Sequence, residues 1–128
     1  MIQEEKELVI KDLSSRLPYN CMVSIAEGGI DGIQWTDATL NSYLLHQIME
    51  EEAWEYVKPY LRPISSMTEE ERHEYKVLSS GFGFTEFYKA SAILVDWFNK
   101  NMLDYRGLIP KGLALEAKEG MYIKTYKN

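Results

Sequence analysis

Residues Phe84 to Pro110, FTEFYKASAILVDWFNKNMLDYRGLIP, constrain this chain more than any other stretch. Phe87, Ala90, Ile93, Leu94, Trp97 and Phe98 recur at steps of three and four, which places them on one face of a helix that must bury that face. Thr85 is positioned as an N-cap. Asn99 and Asn101 stand where the pattern fades, and asparagine tolerates a left-handed helix end. Two apolar pairs follow, Met102-Leu103 and Leu108-Ile109, around Asp104-Tyr105-Arg106-Gly107. A solvated tail is rarely so apolar, so the segment reads as a loop packed on the body, turned at Gly107 and closed by Pro110.

A chain of 128 residues fits one domain and buries enough surface to need no staple. One cysteine, Cys21, excludes an internal disulfide and suits a reducing compartment. The acidic start MIQEEKEL is unlike a leader peptide, and no apolar run reaches the length of a bilayer span. A cytoplasmic, non-membrane protein is therefore expected. Residues 1–99 carry 8 Lys and Arg against 17 Asp and Glu, a net −9, while residues 100–128 carry 6 against 3, a net +3. The acidic body repels phosphate backbones, so no nucleic-acid partner is expected.

Taken in order, residues 3–17 read as a helix with an apolar stripe of Leu8 or Val9, Ile10, Leu13 and Leu17, stopped by Pro18. Asn20 to Ile25 alternates as a strand with Cys21, Val23 and Ile25 on one side. Glu27-Gly28-Gly29 or Asp31-Gly32 turns the chain into a second strand at Ile33 to Thr36, and the spacing leaves the apex open between them. Thr39 to Met49 suits helix or strand, and its β-rich neighbourhood favours a third strand, followed by a solvated turn at Glu50-Glu51-Glu52. Trp54 to Pro63 reads as extended, and Pro59, which cannot donate to a ladder, confines any strand there to a sheet edge. Thr68 and Glu71 form a capping box that opens a polar helix from Glu69 to about Ser79, with Tyr75 and Leu78 inward. Gly81-Phe82-Gly83-Phe84 links it to the main helix, and Met121-Tyr122-Ile123 is either a short edge strand or loose.

The expected fold is α+β: a small antiparallel, barrel-like sheet from residues 20–62, covered by the helices near 3–17 and 85–101. It forms a single globular domain over 1–128, with a helical part at 68–101 and a packed loop and tail at 102–128.

Chemical motifs are sparse. One Cys with two histidines, His46 and His73, is too few for a structural zinc, and no metal or cofactor is expected. His46 reads as a half-buried strand residue and His73 as part of a polar helix face. No Walker loop, dinucleotide fingerprint or nucleophile elbow is present. Cys21 on an apolar strand reads as a buried, inert thiol. The strongest candidate binding residues are Asp104, Tyr105 and Arg106, because a polar trio held between apolar anchors at the end of a rigid helix is where binding groups concentrate. Arg106 alternatively braces the loop by pairing with a carboxylate.

Two segments carry a resemblance. Val57–Glu71, VKPYLRPISSMTEEE, and Asp96–Ala117, DWFNKNMLDYRGLIPKGLALEA, together resemble a family of small proteins of unknown function found with prophages and other mobile elements of gut anaerobes. The resemblance covers most of the C-terminal half and is faint in the N-terminal half. It implies a cytoplasmic, phage-linked protein with a barrel-like or hairpin β unit in the middle. It carries over no cofactor and no functional residue. The combined expectation is a non-catalytic protein-interaction module, monomer or homo-dimer, that binds a protein partner through exposed aromatics. The alternative is a small ligand-binding protein or enzyme with a pocket near Asp104-Tyr105-Arg106.

Overall fold

A computed structural model describes residues 1–29, 32–80 and 87–122. The chain is α+β, as expected. Helix α1 spans Gln3–Arg16, strand β1 Met22–Gly29, strand β2 Gly32–Thr39, helix α2 Ser42–Glu51 and strand β3 Val57–Leu61. Helix α3 spans Glu69–Ser79, helix α4 Phe87–Lys100 and the short strand β4 Leu115–Glu116. The sheet order is β2-β1-β3-β4. It is mixed rather than purely antiparallel, because β4 runs parallel to β3.

Local chemistry accounts for most boundaries. Helix α1 carries Glu4 and Glu5 in its first turn and Arg16 in its last, each placed favourably on the helix dipole. Pro18 ends it in a 3₁₀ turn, Leu17–Tyr19, and Asn20 takes a left-handed conformation to release the chain into β1. The α3 capping box forms as the sequence requires: the Thr68 hydroxyl accepts from the Glu71 amide at 3.2 Å, and the Glu71 carboxylate accepts from the Thr68 amide at 2.9 Å.

The hairpin pairs Gly29 with Gly32, so its apex falls between the two glycine pairs. The apex residues 30 and 31 lie outside the described residues, as do Gly81 to Glu86, which include the Thr85 cap, and residues 123–128, which include Ile123. The side chains of Phe87 and Ala90 also lie outside them.

Several expectations are corrected. Residues 42–51 are helix, not strand. The Asn41 side chain accepts from the Leu44 amide at 2.8 Å and caps the helix, Leu45 and Ile48 are buried, and Glu52 ends it in a left-handed conformation. His46 accordingly sits on an exposed helix face beside Glu50, at 3.4 Å, and not in a half-buried strand.

Strand β3 lies inside the sheet, between β1 and β4, despite Pro59. The Leu61 carbonyl accepts from the Ala117 amide on the β4 side at 2.7 Å. Pro59, two residues earlier, faces the same way. Strand β4 pairs only with Tyr60 and Leu61, so the missing donor falls beyond its end.

The helix face of α4 is also narrower than its periodicity suggests. Trp97 is buried against α3, Leu94 and Phe98 are half-buried, and Ile93 is 39% exposed. Asn99 is buried in its place because it accepts a hydrogen bond from the Tyr105 hydroxyl at 2.8 Å. The left-handed residue after the helix is Met102, not an asparagine.

The core lies between one face of the sheet and three covers. Val23, Val57 and Leu61 meet Val9 and Leu13 of α1, Leu45 and Ile48 of α2, and Met102, Leu108 and Leu113 of the segment after α4. That segment is packed on the body as its apolar pairs require, with Gly107 at φ 73° making the turn. The residue after Leu61, Arg62, holds it: its amide donates to the Met102 carbonyl at 2.7 Å and its carbonyl accepts from the Asp104 amide at 2.9 Å. Among the described residues, the other face of the sheet carries no helix from this core cluster.

Candidate functional site

The loop trio is fastened to the protein through all three of the side chains the sequence singles out. The Asp104 carboxylate accepts from the Leu108 and Ile109 amides at 2.8 and 2.9 Å, which folds the loop on itself. Tyr105 stacks on Phe98 with ring centroids 5.1 Å apart, and burial pushes its hydroxyl above the ordinary tyrosine range. The Arg106 guanidinium lies 4.5 Å from the Tyr105 ring centroid and donates to the Asp12 carboxylate at 2.9 Å and to the Ser15 hydroxyl at 3.0 Å.

Asp12 and Arg16 complete this cluster, and the sequence did not single them out. Both are fully buried. The Arg16 Nε donates to both Asp12 oxygens at 3.0 and 3.1 Å, and its Nη2 donates to the Leu103 carbonyl at 2.7 Å. The trio is thus brought together with α1, and its chemistry is that of a clamp between the first helix and the last loop.

A second assembly lies on the uncovered face of the sheet. In β1, β2 and β3 the residues alternate between the core and this face. Register places Asp37, Ser24 and Lys58 in one row across the three strands, with Trp35 beside Ala26 in the next. Tyr60 and Leu115 pair across β3 and β4. These side chains line a cleft of about 490 Å³, with Lys118 at its rim.

The Asp37 carboxylate accepts from the Tyr60 hydroxyl at 2.7 Å and from Lys118 at 2.9 Å. The Lys118 and Tyr60 hydrogen bonds hold that carboxyl below its usual range, and Asp37 in turn raises Lys118. Lys58 places its ammonium 5.7 Å from the Trp35 ring centroid and has no carboxylate partner among the described residues. Ser24 is only 3% exposed, and its hydroxyl has no hydrogen-bond partner among the described residues.

The edge of this face is β2. The Leu40 amide donates to the Cys21 carbonyl at 2.8 Å, which fixes the phase of the ladder. Pairs 23–38, 25–36 and 27–34 share that phase and exchange hydrogen bonds, so the amides and carbonyls of Ile33, Trp35, Asp37 and Thr39 point away from β1 at an edge that no other strand among the described residues pairs with. Their side chains stand on the cleft face, where Ile33 is 62% and Trp35 47% exposed.

Sequence alternation alone marks Ser24 and Met22 as opposite to the core positions of β1. The row that joins Ser24 to Asp37 and Lys58 requires the hairpin register, which the two glycine pairs left open.

Among the described residues no group of three or more His, Cys, Asp or Glu side chains is placed to hold a metal ion, and no helix is long and apolar enough to cross a membrane. Cys21 is fully buried, and burial pushes its thiol up to about 11, which removes it as a nucleophile near neutrality. Compared with protein-family models, with curated proteins and with solved structures, the chain matches none.

Proposed function

We propose that this protein is a non-catalytic interaction module that receives an extended segment of a protein partner along the open edge of β2. The observation that carries the reading is the edge itself. Exposed strand edges are normally blunted by lysine, proline, a bulge or a covering element, because a row of unpaired amides invites another strand. The β2 sequence GIQWTDAT holds no lysine and no proline, and its one charge, Asp37, is engaged by Lys118 and Tyr60. It presents the outward backbone groups of four residues, with Ile33 and Trp35 as adjacent side-chain anchors on one face. Strand addition draws affinity from such main-chain groups and specificity from alternate side chains. On the resemblance carried by Val57–Glu71 and Asp96–Ala117, the partner belongs to a prophage or mobile element or to its cytoplasmic host.

The test is capture from cells that make the protein, with three variants beside the wild type. Ile33→Pro removes one outward amide without touching the ladder to β1, a placement that edge strands accept. Trp35→Glu removes the aromatic anchor. Arg106→Ala loosens the loop clamp far from the edge. Loss of one same partner in the first two variants, with retention in the third, supports the reading. Retention in Ile33→Pro and loss in Arg106→Ala moves the binding surface to the Asp104-Tyr105-Arg106 loop.

A further inference from the structure

We infer that the cleft on the uncovered sheet face is a binding site for a small aromatic carboxylate. The inference stands on the side chains of the cleft: it survives if strand addition along β2 fails, since it uses none of the outward backbone groups of that edge, and Trp35 is the one side-chain anchor the two readings share.

The floor of the cleft is Ser24, which is nine-tenths buried or more and whose hydroxyl finds no partner among the described residues. A buried hydroxyl without a hydrogen bond is costly, so a site that keeps one there has a use for it. Lys58 stands next to Ser24 across the β1–β3 pairing and has no carboxylate to balance it among the described residues. Its ammonium rests over the Trp35 ring, at the distance of a cation–π contact that a stronger anionic partner displaces.

Two donors, one cationic and one neutral, line one cleft from paired positions on adjacent strands, and that pair suits a carboxylate. The charge balance sets the valence. Lys58 and Lys118 supply two positive charges and Asp37 one negative, so a monoanion neutralises the cleft. A phosphate dianion overshoots and meets the Asp37 carboxylate. The walls set the rest of the ligand: the Trp35 and Tyr60 rings and Leu115 offer flat apolar surface, and the volume is in the range of small-molecule sites.

The experiment is a two-dimensional amide and indole NMR titration of the whole protein with benzoate, phenylacetate and indole-3-acetate, with benzamide and inorganic phosphate as controls. The expected result is a saturable shift at millimolar or lower concentration for at least one carboxylate, centred on Ser24, Lys58 and the Trp35 indole, and weaker binding of both controls. Lys58→Met keeps the apolar stem and removes the charge, and is expected to weaken that carboxylate by about tenfold. Lys58→Arg is expected to restore most of it. Ser24→Ala is expected to weaken binding while leaving the fold at least as stable, because it removes a hydroxyl that has no partner among the described residues. No saturable shift with any of the three acids overturns the inference. So does a shift centred elsewhere, equal binding of benzamide, or a Lys58→Met variant that binds as the wild type does.

Discussion

Asp12→Ala is the substitution from which the fold stands to lose most per atom removed. The Asp12 carboxylate is fully buried and accepts three hydrogen bonds, two from Arg16 Nε and one from Arg106 Nη1. Arg16 is fully buried as well, and without Asp12 its guanidinium keeps the Leu103 carbonyl at 2.7 Å, a long contact to the Phe98 carbonyl at 3.5 Å and the Tyr105 ring at 5.4 Å from its centroid, none of them a charge. A buried cation is then left without its counter-charge, which costs ~3–5 kcal/mol. Against a total stability of ~5–15 kcal/mol for a domain, that is about a fifth or more of the whole.

Arg106→Ala is the milder companion, since Asp12 keeps Arg16 and the Arg106 side chain is partly in water; about 1–2 kcal/mol is expected. The two losses are coupled through one carboxylate, so the double variant costs less than their sum by ~0.5–3 kcal/mol. The assay is urea unfolding followed by circular dichroism, with a shared slope across the four proteins. A loss below about 1 kcal/mol for Asp12→Ala refutes the claim that this carboxylate joins the first helix to the last loop.

Two further outcomes follow from the tail and the thiol. The Tyr122 hydroxyl accepts from the Met22 amide and donates to the Tyr60 carbonyl, both at 2.8 Å, so Tyr122→Phe orphans two backbone groups at a cost of ~1–3 kcal/mol. Faster hydrogen exchange at Met22 checks it, and an unchanged rate contradicts it. Burial raises both Cys21 and Tyr122 in the folded chain. The stability tied to their neutral forms is therefore full below the unfolded values and drains as pH rises through the folded ones, for Cys21 between 9.0 and about 11. Urea midpoints measured from neutral to alkaline pH should fall across that window, and fall less in Cys21→Ala; a flat midpoint contradicts the assignment.

What was legible in the sequence was local. The capping box of Thr68 and Glu71, the stop at Pro18, the alternation of Cys21 and Val23 and the packed loop around Gly107 all act over a few residues, and their chemistry is written in neighbouring side chains. Residues 42–51 carried a helix signal too, Asn41 as a cap followed by Leu44, Leu45 and Ile48, and it was outweighed by the strands on either side. Asp12 and Arg16 do not stand out in the sequence, because the carbonyls of Phe98 and Leu103 that Arg16 meets lie more than eighty residues away. The candidate site divides the same way. The Asp104-Tyr105-Arg106 trio stood out because it is contiguous, and its polar atoms are taken up by Asp12, Ser15, Asn99 and two loop amides. The cleft was hidden because it is assembled across strands, from a register that no single segment encodes.

Strand addition along β2 is tested most directly by amide hydrogen exchange on the protein alone and in complex with its captured partner. In the free protein the outward amides of Ile33, Trp35, Asp37 and Thr39 should exchange faster than the inward amides of Gln34, Thr36 and Ala38. In the complex the outward set should become protected, and the alternation along β2 should disappear. A complex that leaves those amides exchanging as in the free chain, with new protection elsewhere, contradicts the account.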